Sequence, residues 1–128
     1  MKFLLDTHIL LAVIGRRLHL RSPKIARLLS QDDSDPYASV ASLWEIAIKT
    51  RLGKLNPRMS LALLPSALQA LEIGIVPITQ AHALVSVEPL PPTKDPFDRM
   101  LLAQCQVEGC LLVTVDGALH DHPLAARI

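Results

Sequence analysis

With 128 residues, 50% of them apolar and 20% charged, the chain is long enough to bury about two thirds of its unfolded surface and too short for two ordinary domains, and its composition excludes disorder. A single domain over residues 1–128 is expected. The formal charge of +1 by itself predicts no polyanion partner, but residues 1–58 hold ten basic and five acidic side chains while 59–128 hold three and seven. The two halves therefore bring opposite charge to any site they share. Four aromatics, Phe3, Tyr37, Trp44 and Phe97, are too few for recognition that stacks successive bases, which argues against RNA-recognition and oligonucleotide-barrel folds. Cys105 and Cys110 sit in no CxxC or Cys/His spacing, so neither a zinc site nor a disulfide scaffold is supported, and a reducing cytoplasm is the expected compartment.

Along the chain, Lys2 to Leu5 reads as a short buried strand and Thr7 to Ile14 as a helix, with Asp6 at the junction. Asp6 and His8 break the apolar opening, so a secretory leader is not expected, and no later run is long enough to span a membrane. Ser22-Pro23 reads as an N-cap and first helical proline, with Ile25, Leu28 and Leu29 on the apolar face. Asp32-Asp33-Ser34-Asp35-Pro36 reads as a loop, Tyr37 to Ser39 as a second strand, and Leu43, Ile46, Ala47 and Thr50-Arg51 as an amphipathic helix stopping at Gly53. Pro65 starts a helix through Ser66 to Glu72, closed by Gly74. Ile75-Val76-Pro77-Ile78 reads as a strand whose proline favours an edge. Thr79 caps a short helix, Pro89 to Pro92 is a rigid connector, Pro96 to Val107 is a helix ended by Gly109, and Leu111 to Val115 is the clearest strand. Strands alternating with helices, joined by connections too long for hairpins, predict a three-layer α/β/α sandwich around a mostly parallel sheet.

Asp6 and Asp116 follow predicted parallel strands, where open α/β sheets place ligands, and Glu45 and Asp98 fall in the first turns of predicted helices, which face the same edge. Four carboxylates so placed would repel and raise one another's pKa, and an all-oxygen donor set suits Mg²⁺ or Mn²⁺. With phosphodiesters, such a site polarises the phosphoryl oxygen and lowers the pKa of a bound water. Each acid also has a structural reading. Asp95-Pro96-Phe97-Asp98 and Ser42-Leu43-Trp44-Glu45 have capping-box spacing, Glu45 with Lys49 is an i,i+4 ion pair, and Asp116-Gly117 is a turn signal. Asp6 is different, because a carboxylate inside an apolar run needs a cation or a hydrogen-bond network to be buried there.

Four fragments in order, Leu5-Asp6-Thr7, Trp44-Glu45-Ile46-Ala47-Ile48-Lys49, Asp95-Pro96-Phe97-Asp98-Arg99 and Thr114-Val115-Asp116, span residues 2 to about 119. Together they resemble the PIN-domain family, in particular the VapC-type toxins of toxin–antitoxin pairs. The resemblance implies a cytoplasmic Mg²⁺- or Mn²⁺-dependent endoribonuclease acting on RNA, neutralised by a cognate antitoxin protein and forming a homodimer or a toxin–antitoxin hetero-oligomer. Carried over by motif position, Asp6, Glu45, Asp98 and Asp116 are the catalytic and metal-holding acids. Asp95 matches only a subset of the family and reads as a helix cap or a support for the ligands; Thr7 and Thr114 stand where the family often has a hydroxyl near the acids. Two departures fall at Thr93, where related sequences often carry His, and at His120-Asp121-His122-Pro123, where a Tyr region is usual.

Lys49 and Arg99 are candidates for contacting a phosphate, or simply for pairing with neighbouring acids. Arg16, Arg17, Arg21, Lys24 and Arg27 form a basic segment able to follow an RNA backbone or to be a solvated helix face, and Lys49, Arg51 and Lys54 form a second. His8 and His82 read as ordinary helix-start or partly buried histidines. The apolar helices between residues 9 and 29 and between 61 and 71 offer either core or an antitoxin groove. The alternative to a ribonuclease is a non-catalytic, receiver-like or protein-binding α/β module whose acids hold one Mg²⁺ without cleaving RNA.

Overall fold

The computed structural model describes residues 1–128. Four strands, β1 (Lys2–Leu5), β2 (Asp35–Ser39), β3 (Gly74–Val76) and β4 (Leu111–Val113), form one sheet in the order β3-β2-β1-β4. Every pairing is parallel, with Leu4 registered on Tyr37 and Leu112, and Ala38 on Ile75. The chain is therefore an α/β fold with an all-parallel central sheet. The helices are α1 (Thr7–Ile14), α2 (Leu18–Arg21), α3 (Pro23–Leu29), α4 (Val40–Arg51), α5 (Leu64–Ala70), α6 (Gln80–Leu84) and α7 (Pro96–Glu108), with a 3₁₀ turn at Leu61–Leu63 ahead of α5.

The period-two alternation of strand side chains divides the core into two layers. Phe3 and Leu5 of β1 and Val113 of β4 pack with Ile9 and Leu10 of α1, Ile25 of α3 and Leu68 of α5. Leu4 and Leu112, pointing the other way, pack with Leu101, Leu102 and Cys105 of α7. Both faces of β1 are covered, which is why its apolar run is continuous rather than alternating. Each fully buried leucine here contributes about 2 kcal/mol of transfer free energy. Helix α4 serves both layers, through Ile46 on one side and Ala41 on the other, and so fixes the position of Glu45 relative to α1 and α7.

Several boundaries differ from those read in the sequence. Asp35 and Pro36 belong to β2 instead of the preceding loop, since the backbone of Asp35 donates to Met1 at the strand entrance. Strand β4 ends at Val113, not Val115, so Asp116 stands three residues beyond the sheet. Strand β3 stops before Pro77, which has no N–H for a ladder, and β3 is the edge strand that proline implies. Helix α5 ends at Ala70, ahead of Glu72, whose φ is 58°. The four-residue α2 had no counterpart in the sequence reading. Ser22 precedes Pro23 but makes no side-chain cap bond. Helix α4 begins at Val40 with Ser39 as its cap, so Ser42 lies in the first turn and Glu45 in the second. Beyond β4, the chain returns along its outer edge: Leu112 donates to Leu124, Ala126 donates to Leu112, and Leu112 and Ala125 form a parallel bridge. This covers the edge that β4 would otherwise expose. No helix is long and apolar enough to cross a membrane.

Candidate active site

The strand order reverses at β1, whose successors β2 and β3 lie on one side and β4 on the other. The carboxyl ends of β1 and β4 flank this switch point, the usual ligand crevice of an open α/β sheet. Asp6 follows β1 directly and caps α1, its Oδ1 accepting from the Ile9 N–H at 2.8 Å. It is 4% exposed. Burial pushes its pKa up, partly offset by the Thr114 hydroxyl, the Ile9 N–H and the charge of His8, while Asp116 adds to the rise. The buried Thr114 hydroxyl also accepts from the Asp116 N–H at 3.0 Å, and Asp116 Oδ1 accepts from the Ala118 N–H at 2.8 Å. One threonine thus touches the loop that presents Asp116 and faces Asp6.

Glu45 is 7% exposed and both of its oxygens are engaged. The Thr7 hydroxyl donates to Oε1 at 2.6 Å, and Lys49 Nζ, one turn on, donates to Oε2 at 2.5 Å. That contact holds the Lys49 pKa above its ordinary value. The spacing-based ion pair is therefore formed. Ser42, buried in the same helix, has its hydroxyl 3.1 Å from that of Thr7. It was missed as a site residue, although its place three residues before Glu45 puts both on one helix face.

Asp98 opens α7, and Asp95 caps that helix as its spacing predicts, Oδ1 accepting from the N–H of Phe97 at 2.8 Å and of Asp98 at 3.4 Å. Asp98 titrates at about 6, raised first by burial and then by the charges of Asp95, Asp116, Glu45 and Asp6. Asp6, Glu45 and Asp116 thus all bear on Asp98, at a single edge of the sheet. Arg99 turns elsewhere, its Nε donating to the Thr93 carbonyl at 2.6 Å, while the Thr93 hydroxyl accepts from the Asp95 N–H. These two contacts hold the connector before α7. The rings of Trp44 and Phe97 meet edge to face with centroids 5.7 Å apart, joining α4 to α7 one residue before each helix's site acid.

The donor set is all carboxylate oxygen with hydroxyls behind it, the chemistry of a hard divalent cation. Asp98, raised first by burial and then by the acids around it, is in the charge condition such a cation relieves. As the side chains stand, no three His, Cys, Asp or Glu groups converge at ligation distance, so binding one ion requires the acids to draw together. His82 takes no part: it is buried in the capping box of α6. His8 is exposed, and its charge acts on Asp6 from the rim.

A parallel α/β sheet with acids gathered at its switch point defines a class of acid-site proteins to which nucleases belong. The PIN domain model matches residues 3–123, and the chain belongs to the PIN-domain family. PIN domains are in general nucleases, often dependent on divalent metal ions. Comparison with curated proteins gives no match.

Proposed function

We propose that the protein is a Mg²⁺- or Mn²⁺-dependent endoribonuclease of the VapC toxin type, active in the cytoplasm as one domain and inhibited by a cognate antitoxin. The observation that carries this reading is the placement of Asp6, Glu45, Asp98 and Asp116 at one edge of the sheet, where burial, then Asp95 and the other three acids, raise Asp98 to about 6. These four would hold the metal. When bound, the cation supplies Lewis-acid polarisation of the phosphoryl group and a water of lowered pKa. The chain's own residues set that site up. Thr7 and Lys49 fix the two oxygens of Glu45, Thr114 steadies Asp6 and the backbone of Asp116, and Asp95 fixes the first turn that carries Asp98. The toxin assignment rests on the four ordered fragments. Leu20, Leu63 and Leu71 are exposed on or beside the helices expected to meet an antitoxin, which supports a protein partner there.

Total bacterial RNA incubated with the purified protein and Mg²⁺ or Mn²⁺ tests the reading against an EDTA control and Asp6→Asn. Discrete cleavage that needs both the metal and Asp6 is expected. Cleavage by Asp6→Asn at the wild-type rate overturns the site assignment, and metal binding without cleavage favours a receiver-like module.

A further inference from the structure

Beside the acid cluster lies a groove of about 1040 Å³, between α2 and α3 on one wall and the C-terminal chain on the other. Arg21, Lys24, Arg27 and Arg127 all line it, and Asp121 is the one acidic side chain that does. Asp121 is engaged by His120 at 3.2 Å. The four cations are exposed, and none is in an ion pair. Such a concentration of unpaired positive charge in a concave surface is unfavourable without a counter-charge and focuses field on an incoming anion.

The fold explains how residues 100 apart in sequence share this groove. Ile25 anchors α3 in the core and turns Lys24 and Arg27 outward. The parallel bridge between Leu112 and Ala125 sets the register of the C-terminal chain, so Arg127 runs level with Thr114 at the carboxyl edge of β4. Thr114, Val115 and Gly117 also line the groove. Those residues flank Asp116, so the groove opens onto the acid cluster. No Phe, Tyr or Trp lines it, and its two histidines are engaged, His120 with Asp121 and His122 with the Pro89 carbonyl, which leaves charge rather than stacking as the means of grip.

Building on the nuclease reading, we infer that this groove holds the sugar-phosphate backbone of the polynucleotide strand flanking the scissile phosphate, with Arg21, Lys24, Arg27 and Arg127 as its phosphate contacts. The grip is on charge spaced along a strand and so is indifferent to sequence. RNA and DNA share that chemistry, and the test separates them.

Binding is measured in EDTA, where metal-dependent cleavage cannot intervene, from the fluorescence anisotropy of a labelled single-stranded RNA and of the DNA of the same sequence, across a salt series. Arg21→Gln/Arg127→Gln and, independently, Lys24→Gln/Arg27→Gln are compared with Lys2→Gln/Arg58→Gln, which removes the same charge from exposed positions outside the groove. Each groove pair is expected to weaken binding about tenfold and to reduce the slope of log K against log salt by about 1.4, or about 0.7 for each lost phosphate contact. Equal losses on RNA and DNA identify the phosphates alone as ligand, and a larger loss on RNA adds a ribose contact. Absence of RNA binding by the wild type, or equal weakening by groove and control pairs, overturns the proposal. Cleavage with Mn²⁺ is scored separately. Groove-dependent binding without cleavage sinks the nuclease reading and retains the groove, whereas cleavage with groove-independent binding sinks the groove alone.

Discussion

Thr7 and Glu45 are joined by a 2.6 Å hydrogen bond from the threonine hydroxyl to Oε1, across 38 residues of sequence. It ties the first turn of α1, directly after Asp6, to the second turn of α4, so two acids from distant segments keep a fixed relation. Thr7→Val keeps the shape and removes the donor, leaving a nearly buried carboxylate oxygen without its partner. A loss of about 1–3 kcal/mol in stability is expected. If Thr7 positions Glu45 for a cation, the Mn²⁺ concentration for half-maximal cleavage should also rise 10–100-fold, and Thr7→Ser should restore it. An unchanged Mn²⁺ requirement in folded Thr7→Val reduces the contact to packing.

Asp98 makes stability depend on pH in a direction opposite to that of a salt-bridged acid. Its pKa rises from 3.8 to about 6 on folding, so between those values the folded chain binds more protons than the unfolded one, and stability falls as pH rises through that window. The metal-free protein should therefore melt at higher temperature at pH 5 than at pH 7. Asp98→Asn should flatten the difference and stabilise the metal-free protein at pH 7 by about 1 kcal/mol, after allowance for the solvent screening of a half-buried group. Thermal melts in EDTA across pH 4–8 measure this. A wild-type melting temperature that climbs steadily from pH 5 to pH 7 contradicts the repulsion assigned to the cluster.

Much of this was legible in the sequence because it is local. The continuous apolar run of β1, the proline at the start of α7 and the Asp95 cap each involve residues within a few positions of one another. Asp6 stood out for an equally local reason, a charge inside an apolar run. What escaped is non-local. The end of β4 coincides with its last registered pair to β1, Leu5 with Val113, and the C-terminal chain returns along it through one bridge at Leu112 and Ala125, too little to leave a periodic signal. The start of α4 was misplaced because Ser39 and Ser42 both have a residue type suited to capping. Only the path of β2 decides that Ser39 bonds the Ala41 N–H at 2.9 Å, which frees Ser42 to face Thr7. Arg127 could not be joined to the basic segment of α2 and α3 without knowing that register.

Gly74 and Tyr37 are registered partners on β3 and β2, and the tyrosine ring lies over the glycine. A Cβ at residue 74 would stand 2.6 Å from two ring atoms. Because the Tyr37 hydroxyl bonds Asp35 at 3.0 Å, the ring moves only by giving up that contact. Gly74→Ala should therefore destabilise the protein by about 1–3 kcal/mol through overpacking, and Gly74→Ala/Tyr37→Ala should lose less than the two single changes summed. Urea denaturation of the four proteins gives the coupling. Strict additivity would mean that the ring does not enforce glycine at this edge.

His82 links α6 to the far end of the helix that carries Asp98. Its Nδ1 accepts from the Thr79 N–H at 3.0 Å, so Nε2 carries the proton and donates to Glu108 at 2.7 Å. The Thr79 hydroxyl returns the contact to the His82 N–H at 3.3 Å, completing a reciprocal cap. His82→Ala removes both ring contacts and opens a cavity at a site 2% exposed, and a loss of about 2–4 kcal/mol is expected. His82→Gln keeps the acceptor that a capping box uses at this position and should recover part of it. Since the histidine lies outside the acid cluster, both variants should cleave RNA at the wild-type rate at a temperature where each is folded. Calorimetry paired with a cleavage assay at 15 °C tests this. Loss of cleavage in folded His82→Gln would show that the α6–α7 contact governs the placement of Asp98 and not stability alone.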